Sequence, residues 1–345
     1  FLPMKELEEC FKHYPQILRN TQQLINQCDV KIDFEHKKNK AHFISQLQDT
    51  EQLDKLTWQG FEKRYDSNNQ TAIDRINNEL KVIKQLRFTS YFLITWDIIR
   101  YSQSKGFYHV GRGSGANSVV AYCLGITDVD PIELNLYFER FINASRTSPP
   151  DFDIDFSWKD RDDIYNYIFS KYGNRHIALL GTISEFKHKS ILRELSKVFG
   201  LYKEETNNII FKSDQATDPL SSKILRYSKY VQKHHFPNQR SIHAGGVLIS
   251  EKPITYYSAL ELPPKGYPTV QFDMYIAEAI GLDKLDILSQ RGIGHINDSI
   301  QIIKENKGLD IDIHQIEQFK QDKKLNGMLK TGNTIGCFYI ESSAM

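Results

Sequence analysis

The stretch "PPDFDIDF" at residues 149–156 alternates acidic and apolar residues without a break, setting Asp151, Asp153 and Asp155 against Phe152, Ile154 and Phe156. A period of two is that of a half-buried strand, so the apolar set is expected in a core and the carboxylates on the opposite face. Same-face residues then lie about 6.5–7 Å apart at Cα, from a rise of about 3.3 Å per residue. Carboxylates at that spacing repel one another unless their charge is offset. Either water does this on a solvated face, or the carboxylates lean together around a pair of divalent cations about 3.5–4 Å apart. Mg²⁺ suits the second arrangement, since it is usually held by one or two carboxylates plus substrate phosphates. A calcium loop is excluded: its sixth position needs Gly and holds Phe156, and its twelfth needs Glu and holds Asp162.

At 345 residues the chain is long enough for two or three domains, and 40% hydrophobic with 25% charged residues is an ordinary globular composition. The net charge of +1 neither favours nor excludes a nucleic-acid partner. Cys10, Cys28, Cys123 and Cys337 form no CxxC pair or Cys/His cluster, which argues for a reducing compartment and against structural zinc. No apolar run is long enough to span a bilayer, so a cytoplasmic location is expected. A first residue of Phe and the abrupt end at "GCFYIESSAM" suggest a piece of a longer polypeptide.

Apolar residues at helical spacing predict helix over 1–30, followed by a charged connector, "KIDFEHKKNK", at 31–40. Ile73, Ile76, Leu80 and Ile83 predict an amphipathic helix over 71–86, and "SYFLITWDIIRYSQSKG" predicts a more apolar helix ending at Gly106. "FYHV" (107–110) reads as a strand entering Gly111, Gly113 and Gly115, with "ANSVVAYCLGI" helical beyond them. Further helices are expected at 158–171 and 184–199, and strands at 245–250 and 282–288. Residues 183–243 carry eleven Lys/Arg against six Asp/Glu, a local charge of +5. A mixed sheet interrupted by a basic helical insertion is the simplest arrangement.

Between the strand and the helix, "VGRGSGANS" can cradle an anion on successive backbone N–H groups, with positive potential added by a helix N-terminus. Arg112 and Ser114 are further donors. The same glycines equally suit a tight strand–helix turn. The loop is no Walker motif, because no Gly-Lys-Ser/Thr follows. Gly111, Gly113 and Ala116 match the dinucleotide-binding fingerprint. The absence of a regular βαβαβ pattern and the acidic strand downstream favour metal-assisted phosphoryl chemistry over a dehydrogenase.

An ordered series of segments resembles the bacterial replicative C-family DNA polymerases, the alpha subunit of DNA polymerase III. The series runs "YFLITWDII", "GRGSGANSVVAYCLGITDVDPIELNLYFERFIN", "PDFDIDF", "IHAGGVLIS", "QFDMYIAEAIGLDKLDIL" and "TIGCFYIES". It spans roughly residues 88–342, with a weaker likeness back to about residue 42. The resemblance implies an α+β fold: a polymerase-β-like nucleotidyltransferase palm, a mixed sheet with helices, interrupted by a helical thumb. It also implies domain bounds: the end of a PHP domain and connector at 1–36, palm at 37–182 and 243–290, thumb at 183–242, and truncated fingers at 291–345. The basic segment falls where that thumb should be, and backbone neutralisation is what duplex binding needs.

By the same resemblance, Asp151, Asp153 and Asp286 would be the catalytic, metal-binding triad, with Asp155 a neighbour rather than a principal ligand. Gly113 and Ser114 would face the triphosphate with Arg112 close by, and Arg140 and Lys284 would supply positive charge to the phosphates. Two Mg²⁺ ions, with Mn²⁺ as a substitute, would serve template-directed transfer from deoxynucleoside triphosphates to the 3′-hydroxyl of primer–template DNA. The sliding clamp and other replisome subunits would be engaged by regions outside this chain. Without most of the fingers, the fragment would extend primers poorly or not at all. Tyr339 where Gln is expected, and "DILSQRG" in place of "DFLGLR", leave the triad untouched and are compatible with a replicative enzyme or a damage-tolerant paralogue. Two rivals stay open at this level: another metal-dependent nucleotidyltransferase or phosphodiesterase, and a non-catalytic DNA-binding palm.

Overall fold

Ile177 and Leu179 enter one apolar core while Ala178 and Leu180 enter a second. This period of two marks a strand buried on both faces. That strand belongs to a seven-stranded mixed sheet in a computed structural model that describes residues 2–29, 31, 33–142, 151–212, 218–234, 237–337 and 340.

The chain divides into two units, residues 1–36 and 37–345. The first contains α1 (Met4–Cys10) and α2 (Pro15–Gln27), neither of which buries a residue. The continuous helix expected over 1–30 is broken, because Pro15 has no N–H to donate and sits in the first turn of α2 instead.

In the second unit, the helices before the first strand are α3 (Gln46–Arg64), α4 (Gln70–Gln85) and α5 (Thr89–Ser104). Ser45 caps α3 and Asn69 caps α4 through their side chains. Gly106 follows α5 with φ +70°, as its position after the helix requires. The strands are β1 (His109–Arg112), β2 (Asp153–Ser157), β3 (Ile177–Glu185), β4 (Pro237–Ile249), β5 (Leu260–Glu261), β6 (Thr269–Val270) and β7 (Lys284–Gln290). Their order is β1-β2-β7-β4-β3-β6-β5. Between β1 and β2 lies α6 (Val119–Cys123), and α7 (Arg161–Tyr172) follows β2. The larger core joins α3–α7 to one sheet face through Leu53, Phe92, Phe152 and Ile287, and the smaller core covers the other.

Between β3 and β4 stand α8 (His188–Val198), α9 (Lys203–Phe211) and α10 (Pro219–Lys233). Their separate small core is Leu192, Ile209 and Ile224. Between β6 and β7 lies α11 (Met274–Ala279), and after β7 come α12 (Arg291–Lys307), α13 (Ile316–Gln321) and α14 (Lys323–Thr331). No helix among the described residues is long and apolar enough to cross a membrane.

Several boundaries move. The strand expected at 107–110 occupies His109–Arg112, since pairing with β2 sets its extent. β3 continues to Glu185 because β4 reaches back to Pro237 to pair with it, so the helix expected from 184 starts at His188 and the strand expected at 245–250 is much longer. The half-buried character expected for "DFDIDF" holds only at its start. Asp155 and Ser157 are buried, because α12 packs on β2 with Gly294 close to Ser157. Pro149, Pro150 and Tyr339 lie outside the described residues.

Candidate active site

The site is assembled by strand register. β2 and β7 run parallel with Asp153 paired to Asp286, and β4 lies on the other side of β7 with Gly246 opposite Asp286. β1 flanks β2 and sets Arg112 opposite Asp153. Carboxylates from segments more than 130 residues apart thus become side-by-side neighbours on strands about 4.8 Å apart.

Two cations hold these acids. Lys284 Nζ bonds Asp286 Oδ2 and lies 3.6 Å from Asp151 Oδ1. Burial would lower the Lys284 pKa, but the Asp286 bond and the charges of Asp286, Asp151 and Asp153 outweigh it and raise it. Arg112 bridges the other side, with Nη1 3.1 Å from Asp153 Oδ2 and Nε 2.7 Å from Asp155 Oδ2. Burial raises the pKa of Asp153 despite Arg112, and Asp286 and Asp151 push in the same direction.

Tyr91 on α5 locks the two strands from within the core. Its hydroxyl accepts from Phe152 N–H at 3.2 Å and donates to the Lys284 carbonyl at 3.5 Å. Burial raises its pKa well above the usual tyrosine value, so the hydroxyl stays protonated and can fill both roles. Sequence reasoning missed this residue, because in "SYFLITWDII" it has the spacing of an ordinary core aromatic.

His243 Nδ1 accepts from Gly246 N–H at 2.9 Å. A backbone N–H can only donate, so this nitrogen carries no proton and the ring is neutral. Its 3.8 Å approach to Asp286 Oδ1 is then not an ion pair. Burial lowers the His243 pKa accordingly. Gly246 is required here: a Cβ would lie 2.9 Å from His243 Nδ1 and 3.0 Å from Leu180 Cβ.

The glycine loop forms a 3₁₀ turn, Gly113–Asn117, directly after β1. Gly113 has φ +74°, and a Cβ there would lie 3.1 Å from Asp153 Oδ2, so the loop passes against the carboxylate cluster. The expected contribution of a helix N-terminus is corrected, however. In α6 the N–H groups of Val119 and Val120 are bound by the Glu79 carboxylate and that of Ala121 by Ser118 Oγ, which leaves none of them for an anion. Ser114 is half-buried beside Gly113. Arg140 is exposed on a second turn, Phe138–Arg140, that packs against the first, and no bond joins its side chain to the aspartates among the described residues.

No three His, Cys, Asp or Glu side chains converge on a point that could enclose an ion among the described residues. The donor set nonetheless fits a hard divalent cation. Asp286 Oδ1 is buried without a hydrogen-bond partner, on a residue that the sheet register pairs with Asp153, and carboxylate oxygen is the ligand Mg²⁺ prefers. Asp151, Asp153 and Asp286 would hold it, in exchange for the contacts they now make with Lys284 and Arg112.

The family described as the bacterial DNA polymerase III alpha NTPase domain matches residues 51–289. The chain belongs to this family. It is 33% identical over 365 aligned positions to the DNA polymerase III alpha subunit of Bacillus subtilis (strain 168), covering 99% of this chain and 32% of that protein. An error-prone DNA polymerase of Symbiobacterium thermophilum is 32% identical over 99% of this chain and 33% of its own length. The alpha subunit of Borreliella burgdorferi is 34% identical over 99% of this chain and 31% of its own length. The chain thus spans about a third of the length of these curated relatives, which include both DNA polymerase III alpha subunits and an error-prone DNA polymerase.

Proposed function

We propose that this chain carries the nucleotidyl-transfer centre of a bacterial DNA-directed DNA polymerase that extends a primer 3′-hydroxyl with deoxynucleoside triphosphates on a DNA template. The observation that carries the reading is the parallel register that seats Asp153 beside Asp286, with Lys284 joining Asp286 to Asp151. In this reading residues 37–182 and 243–290, which hold most of the seven-stranded sheet and its helices, are a polymerase-β-like palm, and the ends of β3 and β4 run on past those bounds. Residues 183–242 are the thumb, 291–345 begin the fingers, and 1–36 end a PHP domain.

In the reaction the primer oxygen forms a bond to the α-phosphorus, the bond to the departing pyrophosphate breaks, and the hydroxyl proton leaves to solvent. Two divalent cations, Mg²⁺ or Mn²⁺, supply activation of that hydroxyl and neutralisation of the pyrophosphate when bound at Asp151, Asp153 and Asp286. Lys284 and Arg112, released from the aspartates, are placed to meet the triphosphate's negative charge. Gly113 lets the loop backbone come close to the phosphates, where Ser114 adds a hydroxyl donor, and Arg140 adds a further cation from the adjacent turn. The excess positive charge of residues 183–243 supports a grip on the primer–template backbone. Clamp and replisome contacts would fall to the remaining two-thirds of the longer proteins, in the bacterial cytoplasm.

The test is primer extension by the full-length protein with Asp151→Asn, Asp153→Asn or Asp286→Asn. Each is expected to lose synthesis, with metal binding to this chain reduced in a calorimetric Mn²⁺ titration. Wild-type rates in any of the three overturn the assignment of that residue, and wild-type rates in all three overturn the reading.

A further inference from the structure

Glu79 is fully buried, yet it lies on α4, far in sequence from every residue of the carboxylate cluster. Its oxygens are saturated. Oε1 accepts from Arg75 Nε at 2.9 Å and from Val119 N–H at 3.1 Å, and Oε2 accepts from Ser118 Oγ at 2.8 Å and from Val120 N–H at 3.1 Å. Arg75 reaches further. Its Nη2 donates to the carbonyls of Asn117 and Leu136, both at 3.0 Å, and its guanidinium lies 5.7 Å from the Phe138 ring centroid. Asn117 Nδ2 in turn donates to the Ser114 carbonyl at 2.8 Å.

One ion pair therefore holds the end of the Gly113–Asn117 turn and, through Leu136, the entry to the Phe138–Arg140 turn. Capping α6 accounts for only part of this arrangement: Glu79 serves the N–H groups of Val119 and Val120 beside Ser118, but the Arg75 contacts with the Asn117 and Leu136 carbonyls have no part in capping. At five residues α6 is also too short to hold its own position, so its placement has to come from tertiary contacts.

We propose that Arg75 and Glu79 are a positioning pair for the triphosphate: they fix the two turns relative to each other so that Ser114 and Arg140 meet the same phosphate chain. This rests on the nucleotidyl-transfer reading above. The pair touches neither substrate nor reacting atoms and acts only through the backbone it holds.

The test uses the full-length protein with Arg75→Lys and Glu79→Gln. Lysine keeps the charge, but a single amine cannot serve Glu79, Asn117 and Leu136 together, and the glutamine amide cannot replace both carboxylate oxygens. Lys84→Gln, on the same helix but paired with Asp54, is the control. We expect KM for the deoxynucleoside triphosphate to rise about tenfold in Arg75→Lys, with the primer–template Kd unchanged. Amide hydrogen exchange should quicken in residues 112–122 and 134–142 together, and not in the remainder of the sheet. An unchanged KM, or a general loss of protection with a lower Tm and no local effect, overturns the proposal and leaves a structural ion pair. If the wild type extends no primer, the triphosphate role falls with the reading of the site, while the exchange data still show whether the pair couples the two turns.

Discussion

Lys284 Nζ sits between Asp286 and Asp151, so a cation supplied by the chain itself joins the acids that two distant strands bring together. Both members of the Lys284–Asp286 pair are largely buried. Removing one partner leaves the other charge without compensation, which typically costs about 3–5 kcal/mol. Lys284→Met is therefore expected to destabilise the metal-free protein by about that amount, read from the urea midpoint. Added Mn²⁺ should recover more stability in this variant than in the wild type; an equal gain in both would show that Lys284 does not compete for the site.

Gly113 occupies the left-handed region beside Asp153. Gly113→Ala should cost about 1–2 kcal/mol from backbone strain alone. It should also displace the Asp153 carboxylate, whose oxygen lies 3.1 Å from the new Cβ position. Thermal melts should register the first effect and weaker Mn²⁺ binding the second, whereas Gly106→Ala, with open space around its Cβ position, should show only the first.

His109 and His314, with ring centroids 5.4 Å apart, should respond to acid in opposite senses. Burial lowers the His109 pKa to about 4, so the unfolded chain takes up this proton first and stability falls as pH drops from about 6.5 towards 4. His314 bonds Asp128, which raises its pKa. Its contribution is complete below the usual histidine value of 6.5 and is lost as pH rises through the raised one. The Asp128 carboxyl, lowered overall because the His314 bond and charge outweigh its burial, loses its share only as pH falls below the usual 3.8. Urea melts at several pH values should therefore find His109→Gln less sensitive between pH 6.5 and 4, and His314→Gln deficient on the acid side of 6.5. A parallel shift of both variants at every pH would contradict this.

Asp97, fully buried on α5, accepts from Tyr167 at 2.7 Å, Tyr172 at 2.8 Å and Lys171 at 2.5 Å, all on α7. Asp97→Ala strands two hydroxyls and an ammonium, and should cost about 3–5 kcal/mol with the denaturant m-value unchanged. Because the seam lies away from the carboxylates, Mn²⁺ affinity at temperatures where the variant is folded should match the wild type.

The sequence carried those features that depend on local period. Helix α4 follows from Ile76, Leu80 and Ile83, and the strand character of "DFDIDF" from its alternation. It could not carry features decided by partners. β4 runs back to Pro237 because β3 is there to pair with it, and Asp155 is buried because α12 packs over the end of β2. Asp286 is legible as a partner of Asp153 only through the resemblance of the ordered motif series to a known family, since nothing local in "KLDIL" points to a residue over 130 positions away. Glu79 and Tyr91 look like routine members of amphipathic and apolar helices, and their roles exist only in the bonds they make to other elements.

Glu185 and Pro237 face each other where β3 leaves for, and β4 returns from, the three-helix insertion. An excursion whose two ends are hydrogen-bonded neighbours can be lengthened, shortened or exchanged without altering the order of any strand in the sheet. The insertion has its own small core, so its surface charge can drift independently of the acids on β2 and β7. A change in the outer surface of this insertion can therefore leave the pairing of Asp153 with Asp286 where it is.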